Sequence, residues 1–257
     1  MKCTNEIGWT LKSNRTSMKN LFVGTSGYSY KEWKGSFYPE KFAAKDMLSY
    51  YAERLKTVEL NNTFYRMPQR EMVESWRTQV PPDFRFSVKA SQRITHFKRL
   101  NEAAEPTKLM FDTVSALEDR LGVVLFQLPP NMKKDIERLN SFLGILPTDV
   151  KASFEFRHPT WFDDEVLELL QRHNRALCIS DTDDLPTNRI DKTADWGYLR
   201  LRRVNYARED LVEWIKRINA QKWKTTFVFF KHEDEGTGPK LAAEFVGLAN
   251  SKGTIKS

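Results

Sequence analysis

Residues 151–157 read KASFEFR, and the order of types along this run decides the architecture. Phe154 and Phe156 fall on one side of a two-residue period, while Ser153, Glu155 and Arg157 fall on the other, as in a strand whose two faces meet different surroundings. The same split recurs in three more runs. In 57–61 (TVELN) Val58 and Leu60 oppose Thr57, Glu59 and Asn61, and in 85–90 (RFSVKA) Phe86 and Val88 oppose Arg85, Ser87 and Lys89. In 197–202 (GYLRLR) Leu199 and Leu201 oppose Tyr198, Arg200 and Arg202. Working outward, the runs 21–26 (LFVGTS), 122–128 (GVVLFQL), 175–181 (RALCISD) and 225–231 (TTFVFFK) bring the strand count to eight.

Between these runs apolar residues recur three and four apart, each set one face of an amphipathic helix. The sets are Met47, Tyr51, Leu55; Val73, Trp76, Val80; Met110, Val114, Leu117; Ile136, Leu139, Leu143; Val166, Leu169, Leu170; Leu211, Trp214, Ile215, Ile218; and Leu241, Phe245, Leu248. Pro106, Asp135 and Asp163 suit helix starts. Strand and helix in alternation imply right-handed crossovers and a parallel sheet, and eight such units close on themselves. The expected fold is therefore α/β, a TIM (β/α)8-type barrel forming a single domain over residues 21–250. A doubly wound open sheet is the competing topology. Residues 182–195 (TDDLPTNRIDKTAD) lack helical period, so the β6–β7 crossover reads as irregular, with at most a short helix. Residues 1–20 read as a polar N-terminal extension, and 251–257 as a C-terminal tail.

Large apolar groups should cover the helix-facing side of each strand, which sends the charged set into the barrel. An unpaired ion there costs several kcal/mol, so these charges must be paired or hold a ligand. Most lie toward the C-terminal halves of their strands, the end at which such barrels carry their chemistry. Glu59, Asn61, Lys89, Gln127, Glu155, Arg157, Arg200 and Arg202 then line one mouth, with His96, His158, Asp181, Lys231 and His232 on the adjoining ends and loops. Lys89, Arg157, Arg200, Arg202 and Lys231 outnumber Glu59, Glu155 and Asp181, which favours an anionic ligand over a closed layer of ion pairs.

The whole chain of 257 residues carries a formal net charge of +7, and its 40% hydrophobic and 29% charged residues are ordinary for a globular protein. Two acid-free basic runs, 84–101 and 196–208, account for more than that excess. The first holds Arg85, Lys89, Arg93, Lys98 and Arg99, and the second holds Arg200, Arg202, Arg203 and Arg208. Strands three and seven face one another across a ring of eight, so the runs are expected on opposite rims. No stretch reaches the roughly 18 apolar residues of a membrane span, and the N-terminus lacks a signal peptide's apolar core. A cytoplasmic protein without membrane partners is expected. Two cysteines, Cys3 and Cys178, are too few for a disulfide framework or a cysteine-rich zinc site.

The runs VGTSGYSYKEWKGSFYPE (23–40), TVELNNTFYRMP (57–68), FRFSVKASQRITH (84–96), VVLFQLPP (123–130), FEFRHPTWF (154–162) and YLRLR (198–202) resemble the YecE-like proteins of the domain of unknown function 72 family. The resemblance runs from Phe22 to the last helix. It implies a TIM-barrel-like fold with polar residues at the strand ends, and no established activity. Thr25, Gly27, Tyr28, Glu59, Asn61, Thr63, Tyr65, Lys89, His96, Gln127, Glu155, Arg157, His158 and Arg200 fall on its motif positions. Arg202 and Arg203 stand where a His-Gly pair is common in the family.

Glu59 and Glu155 form a candidate carboxylate pair for acid/base work, since burial and like charge raise one pKa toward neutrality. His96 is the third candidate catalytic residue. Lys89, Arg157, Arg200 and Arg202 are candidate anion ligands, with Asn61, Gln127 and His158 beside them and Tyr28 and Tyr65 placed to stack on a ring. A divalent metal between Glu59, Glu155, Asp181 and a histidine is the weaker reading: no HxH or HExxH spacing occurs, and the nearby Arg and Lys side chains would repel a cation. No metal ligands are assigned, and the cofactor is left open. GTSG and GTG lack the spacing of a phosphate loop. The leading expectation is an enzyme of hydrolase or isomerase type acting on an anionic, phosphate-bearing ligand. The alternative is a non-catalytic nucleic-acid-binding protein using the same basic mouth.

Overall fold

The alternating apolar positions of the eight runs meet a shell of helices, and the sheet closes. The computed structural model describes residues 20–184, 189–232 and 234–251. Its strands are β1 (Leu21–Ser26), β2 (Thr57–Leu60), β3 (Arg85–Lys89), β4 (Leu121–Gln127), β5 (Ala152–Glu155), β6 (Ala176–Asp181), β7 (Trp196–Leu201) and β8 (Thr225–Phe230). They form a closed parallel barrel in chain order, sealed where β1 pairs with β8 from Leu21↔Thr226 to Thr25↔Phe230. This is the TIM-type barrel that the periodicity predicts. A Cβ on Gly24 would stand 1.9 Å from the Thr57 carbonyl oxygen, so β1 and β2 approach closely only because that side chain is absent.

The strand faces sort as the alternation requires. Val58, Leu60, Phe86, Val88, Phe154 and Leu199 are buried against the helices. The barrel axis is filled separately by Val123, Leu125, Ala176, Cys178, Trp196, Tyr198, Phe227 and Phe229. Burying each large apolar group contributes on the order of 1.5–3 kcal/mol, and a one-residue slip of register would exchange the two sets. Because apolar groups occupy much of the axis below them, the inward carboxylates Glu59 and Glu155 and their partner Arg200 gather toward the C-terminal end.

The helices are α1 (Met47–Ala52), α2 (Asn62–Tyr65), α3 (Arg70–Thr78), α4 (Ala104–Val114), α5 (Ile136–Gly144), α6 (Asp164–Arg172), α7 (Arg208–Ala220) and α8 (Thr237–Ser251). Asp135 and Asp163 cap α5 and α6, accepting hydrogen bonds from the backbone N–H of Arg138 and Val166 at 3.0 and 3.2 Å. Pro106 lies inside the first turn of α4 instead of opening it, where its missing N–H still costs no helical bond.

Four local features depart from the expected pattern. β5 ends at Glu155, two residues early, because the chain turns into a 3-10 helix at Pro159–Trp161; Arg157 therefore stands on the rim. A four-residue α2 follows β2, and a π-helical turn, Arg93–Phe97, follows β3; both are too short for sequence periodicity to reveal. Ser251 belongs to α8, not to a tail. Among the described residues of the β6–β7 crossover, 182–184 and 189–195, there is no helix. The N-terminal extension apart from Asn20, crossover residues 185–188 and the tail 252–257 lie outside the described residues. Asn20 is tied to the barrel, its carbonyl accepting the Thr226 N–H at 3.0 Å. Among the described residues no helix is long and apolar enough to cross a membrane.

Candidate active site

Arg200 organises the C-terminal mouth. It sits near the end of β7, 2% exposed, and its two terminal nitrogens reach opposite walls. Nη1 donates to Glu155 Oε2 at 2.6 Å and Nη2 donates to Glu59 Oε1 at 2.8 Å. Glu59 is further held by the Ser26 hydroxyl at 2.7 Å, the Tyr198 hydroxyl at 2.6 Å and Asn61 Nδ2 at 3.2 Å. Ser87 shares a 2.6 Å hydrogen bond with that tyrosine hydroxyl. Since Tyr198 donates to the carboxylate, Ser87 is the donor to Tyr198. One carboxylate is thus supported by β1, β3 and β7 at once.

Glu155 is less crowded. Arg157 Nε lies 3.5 Å and Arg202 Nη1 3.8 Å from its Oε1, loose contacts made from the rim. Both guanidiniums remain partly exposed, 36% for the Arg157 side chain and 20% for that of Arg202. Gln127, beside Glu155 on the neighbouring strand, is buried, and its Nε2 has no hydrogen-bond partner among the described residues. The same is true of Arg202 Nε.

Lys89 ends β3 with its ammonium 4.2 Å from the Phe64 ring centroid. It makes no ion pair with a carboxylate within 4.0 Å among the described residues, because Arg200 already engages both nearby acids. Four cations, Lys89, Arg157, Arg200 and Arg202, therefore share two carboxylates. Burial, and next the Arg200 charge, lower the Lys89 pKa to about 8, against opposing pulls from Glu59 and Glu155. His96, on the π-helical turn, packs edge-on against Phe64 at 4.9 Å between centroids. Burial and the charges of Lys89, Arg157 and Arg99 lower its pKa.

The carboxylates shift the other way from the expectation that one of them approaches neutrality. Burial alone would raise Glu155, but Arg200, Arg157 and Arg202 outweigh it and hold its pKa at about 2. Burial likewise opposes ionisation of Glu59, and the Arg200 charge with hydrogen bonds from Tyr198, Ser26 and Arg200 still lowers it. Arg200 lies between the two acids, so attraction to the cation replaces the repulsion that would have raised one of them. Both are permanent anions at neutral pH. Neither is a general acid there.

Several other expected mouth residues are engaged elsewhere. Asp181 accepts hydrogen bonds from Arg203 Nε at 2.7 Å and from the Tyr206 hydroxyl at 3.0 Å. A divalent ion between Glu59, Glu155 and Asp181 would have to displace two arginines, and among the described residues no group of three His, Cys, Asp or Glu is arranged to hold one. His158 caps the 3-10 turn: its Nδ1 accepts the Thr160 N–H at 3.3 Å. The His232 Nε2 donates to the Arg203 carbonyl at 2.7 Å. Nor do the basic runs make two free rims. Arg85 turns toward the opposite end of the barrel, bonding the Pro82 and Phe84 carbonyls at 2.9 and 2.8 Å, while Arg203 pairs with Asp181 and Arg208 with Glu244.

Tyr28 packs into the rim wall, its carbonyl accepting the Tyr38 hydroxyl at 2.5 Å within a cluster that includes Trp33, Phe37 and Tyr51. Tyr65 is 74% exposed and meets Phe64 edge-on. With Met67, Arg93, Phe97, Leu109 and Met110 it lines a groove of about 390 Å³ beside the mouth. Sequence reasoning missed Ser26 as a support of Glu59 and Phe64 as the platform of Lys89. The available signal for Ser26 was its place as the last residue of the first strand; Phe64 is legible as an aromatic following the second strand, but its pairing with Lys89 is not, since α2 has no readable period.

A family model described as "Protein of unknown function DUF72" matches residues 22–256. UPF0759 protein YunF of Bacillus subtilis (strain 168) is 24% identical over 89% of this chain and 97% of its own length. UPF0759 protein YecE of Escherichia coli (strain K12) is 29% identical over 55% of this chain and 50% of its own. Among solved structures, a DUF72 family protein of Thermotoga maritima MSB8 is 28% identical, with a TM-score of 0.76 over 90% of this chain and 99% of that one. A methyltransferase from Methanosarcina mazei, 11% identical with a TM-score of 0.53, shares the fold alone.

Proposed function

The chain belongs to the DUF72 family, and from the mouth of its barrel we propose that it is an enzyme of hydrolase or isomerase type acting on a small anionic, phosphate-bearing ligand. One observation carries this reading. Arg200 satisfies Glu59 and Glu155 at 2.8 and 2.6 Å, so that Arg157 and Arg202 keep only loose contacts of 3.5 and 3.8 Å with Glu155. Among the described residues Lys89 has no ion pair, which leaves cations in excess at the mouth. Guanidiniums suit phosphate because their forked donors match its oxygens. The unpartnered Gln127 Nε2 and Arg202 Nε supply further donors beside them. With both carboxylates held ionised, the candidates for proton exchange are Lys89, whose pKa is lowered to about 8, and His96, which burial and the nearby cations hold toward its neutral form.

Thermal unfolding with inorganic phosphate tests the anion site. Phosphate at one hundred times its dissociation constant stabilises a folded protein by about 2.7 kcal/mol, which for a chain of this size raises Tm by roughly 5–10 °C. Arg157→Ala with Arg202→Ala should abolish that rise. An equal rise in both proteins would refute the site. Turnover is then sought among phosphomonoesters and sugar phosphates.

The second reading, a non-catalytic nucleic-acid-binding protein, is favoured by the exposed Tyr65 and Phe97 rings beside Arg93 in the adjacent groove. A single-stranded oligonucleotide that binds at low salt and is not displaced by free phosphate would support it.

A further inference from the structure

We propose that Lys89 is a carbonyl-condensing amine: the mouth takes a small phosphate-bearing aldehyde or ketone, and Lys89 Nζ joins its carbonyl carbon as a Schiff base. The inference rests on reading the mouth as an enzyme's anion site, and names the substrate class of that site.

The placement of Lys89 supports it. A lysine that serves only structure or steering is commonly salt-bridged or fully solvated, and among the described residues Lys89 has no ion pair and is half-buried. Its ammonium lies over the Phe64 ring, half-buried, with no carboxylate within ion-pair distance among the described residues. The groups that face it are Glu59 on β2, Glu155 on β5, Arg200 on β7, Arg157 beyond β5 and His96 on the π-helical turn. Arg200 is taken up by Glu59 and Glu155, whereas Arg157 and Arg202 at the rim can hold a phosphate and leave the lysine free for another task. Desolvation against Phe64 with like charge nearby is how a lysine is made nucleophilic. Its pKa of about 8 gives on the order of 10² times more free amine at pH 7 than an ordinary lysine has.

The chemistry balances without an added oxidant or reductant. The neutral amine adds to the carbonyl carbon, forming a C–N bond while a proton passes from nitrogen to the former carbonyl oxygen. The carbinolamine hydroxyl then takes a proton from solvent at the open mouth and leaves as water, breaking the C–O bond. The product is a cationic imine. Glu59 and Glu155, both held as anions, offset part of the cost that burial and Arg200 place on that cation. Arg157 and Arg202 would keep the phosphate at the rim while the carbonyl end reaches inward.

Reductive trapping tests the proposal on the intact chain. The protein is incubated with glyceraldehyde 3-phosphate and sodium cyanoborohydride, and labelled peptides are mapped by mass spectrometry. Lys89 should be modified at least about tenfold faster than the exposed Lys108 or Lys216, inorganic phosphate should slow it at least tenfold, and its rate should rise with a midpoint near pH 8. Lys89→Arg should remove the adduct while keeping the charge. Unphosphorylated glyceraldehyde separates the two layers of the reading. If both aldehydes label Lys89 rapidly and phosphate changes nothing, the Schiff base stands and the anion site fails. If Lys89 reacts no faster than Lys108, the Schiff base is overturned, whether or not phosphate stabilises the protein. The wild-type peptide map alone decides this, so the outcome does not depend on the variant folding.

Discussion

Arg200 donates to Glu155 at 2.6 Å in a setting where each side chain is only 3% exposed. Breaking a buried ion pair by removing one charge costs about 3–5 kcal/mol, more than the pair itself contributes, because the surviving ion is left without its partner. Arg200 keeps Glu59, so the lower end applies. Glu155→Gln should therefore destabilise the protein by about 3 kcal/mol, lowering Tm by roughly 6–12 °C. An unchanged or raised Tm would show that the carboxylate is kept at a cost to stability, as functional groups often are.

The same residue sets an acid limb. Its folded pKa of about 2 lies below the ordinary glutamate value of about 4.3, so its stabilising contribution is fully present above that value and is lost as pH falls toward 2. Wild-type stability should decline across that window, and the decline should be shallower in Glu155→Gln. Urea unfolding at stepped pH measures both slopes.

Lys89 has the opposite effect in alkali. With a folded pKa of about 8 against about 10.4 unfolded, the native state binds fewer protons than the unfolded chain between those values, so stability rises with pH there. Below pH 8 the cost of burying the ammonium is fully present. Lys89→Met should raise Tm at pH 7, and the gain should shrink as pH climbs from 8 past 10. A gain that does not vary with pH would mean that only packing had improved.

Arg203 and Arg93 both lie in basic runs, yet they should behave differently. Arg203 is 25% exposed and donates to the buried Asp181, so Arg203→Ala leaves a carboxylate short of its partner and should cost about 1–3 kcal/mol. Arg93, on the outer face of the π-helical turn, should change stability by less than about 0.5 kcal/mol. Equal effects in thermal unfolding would refute the division between a structural and a rim arginine.

Alternation alone carried the barrel and the inward set, because burial on one face of a strand imposes a two-residue period that survives in the sequence. It found Glu59, Lys89, Glu155 and Arg200 by the same route. It did not reveal how they pair. Which acid an arginine takes depends on reach across the barrel between strands far apart in sequence, as between β2, β5 and β7. The expectation of a raised carboxylate pKa failed for this reason: composition counts charges, whereas the shift depends on Arg200 standing between the acids. Short turns such as α2 and the π-helical segment are illegible for a different cause, being shorter than the window over which a helical period can be read.

Tyr198 tests how tightly Glu59 is positioned. Its hydroxyl donates to Glu59 Oε2 at 2.6 Å and takes the Ser87 hydrogen at 2.6 Å, so one atom links β7 to β2 and β3 below the mouth. Tyr198→Phe preserves the ring among Phe227 and Phe229 but leaves Glu59 Oε2 and the Ser87 hydroxyl without that partner. Losing a buried hydrogen bond to a charged group costs about 1.5–3 kcal/mol. The Glu59 pKa, lowered in part by this bond, should rise. Its contribution to stability would then be smaller at neutral pH and would begin to fade at higher pH as acid is added. Ser87→Ala, which removes the donor behind Tyr198 but not the bond to Glu59, should cost less and leave the acid limb in place. If the two variants have the same acid limb, the Tyr198 hydroxyl packs the barrel without orienting Glu59.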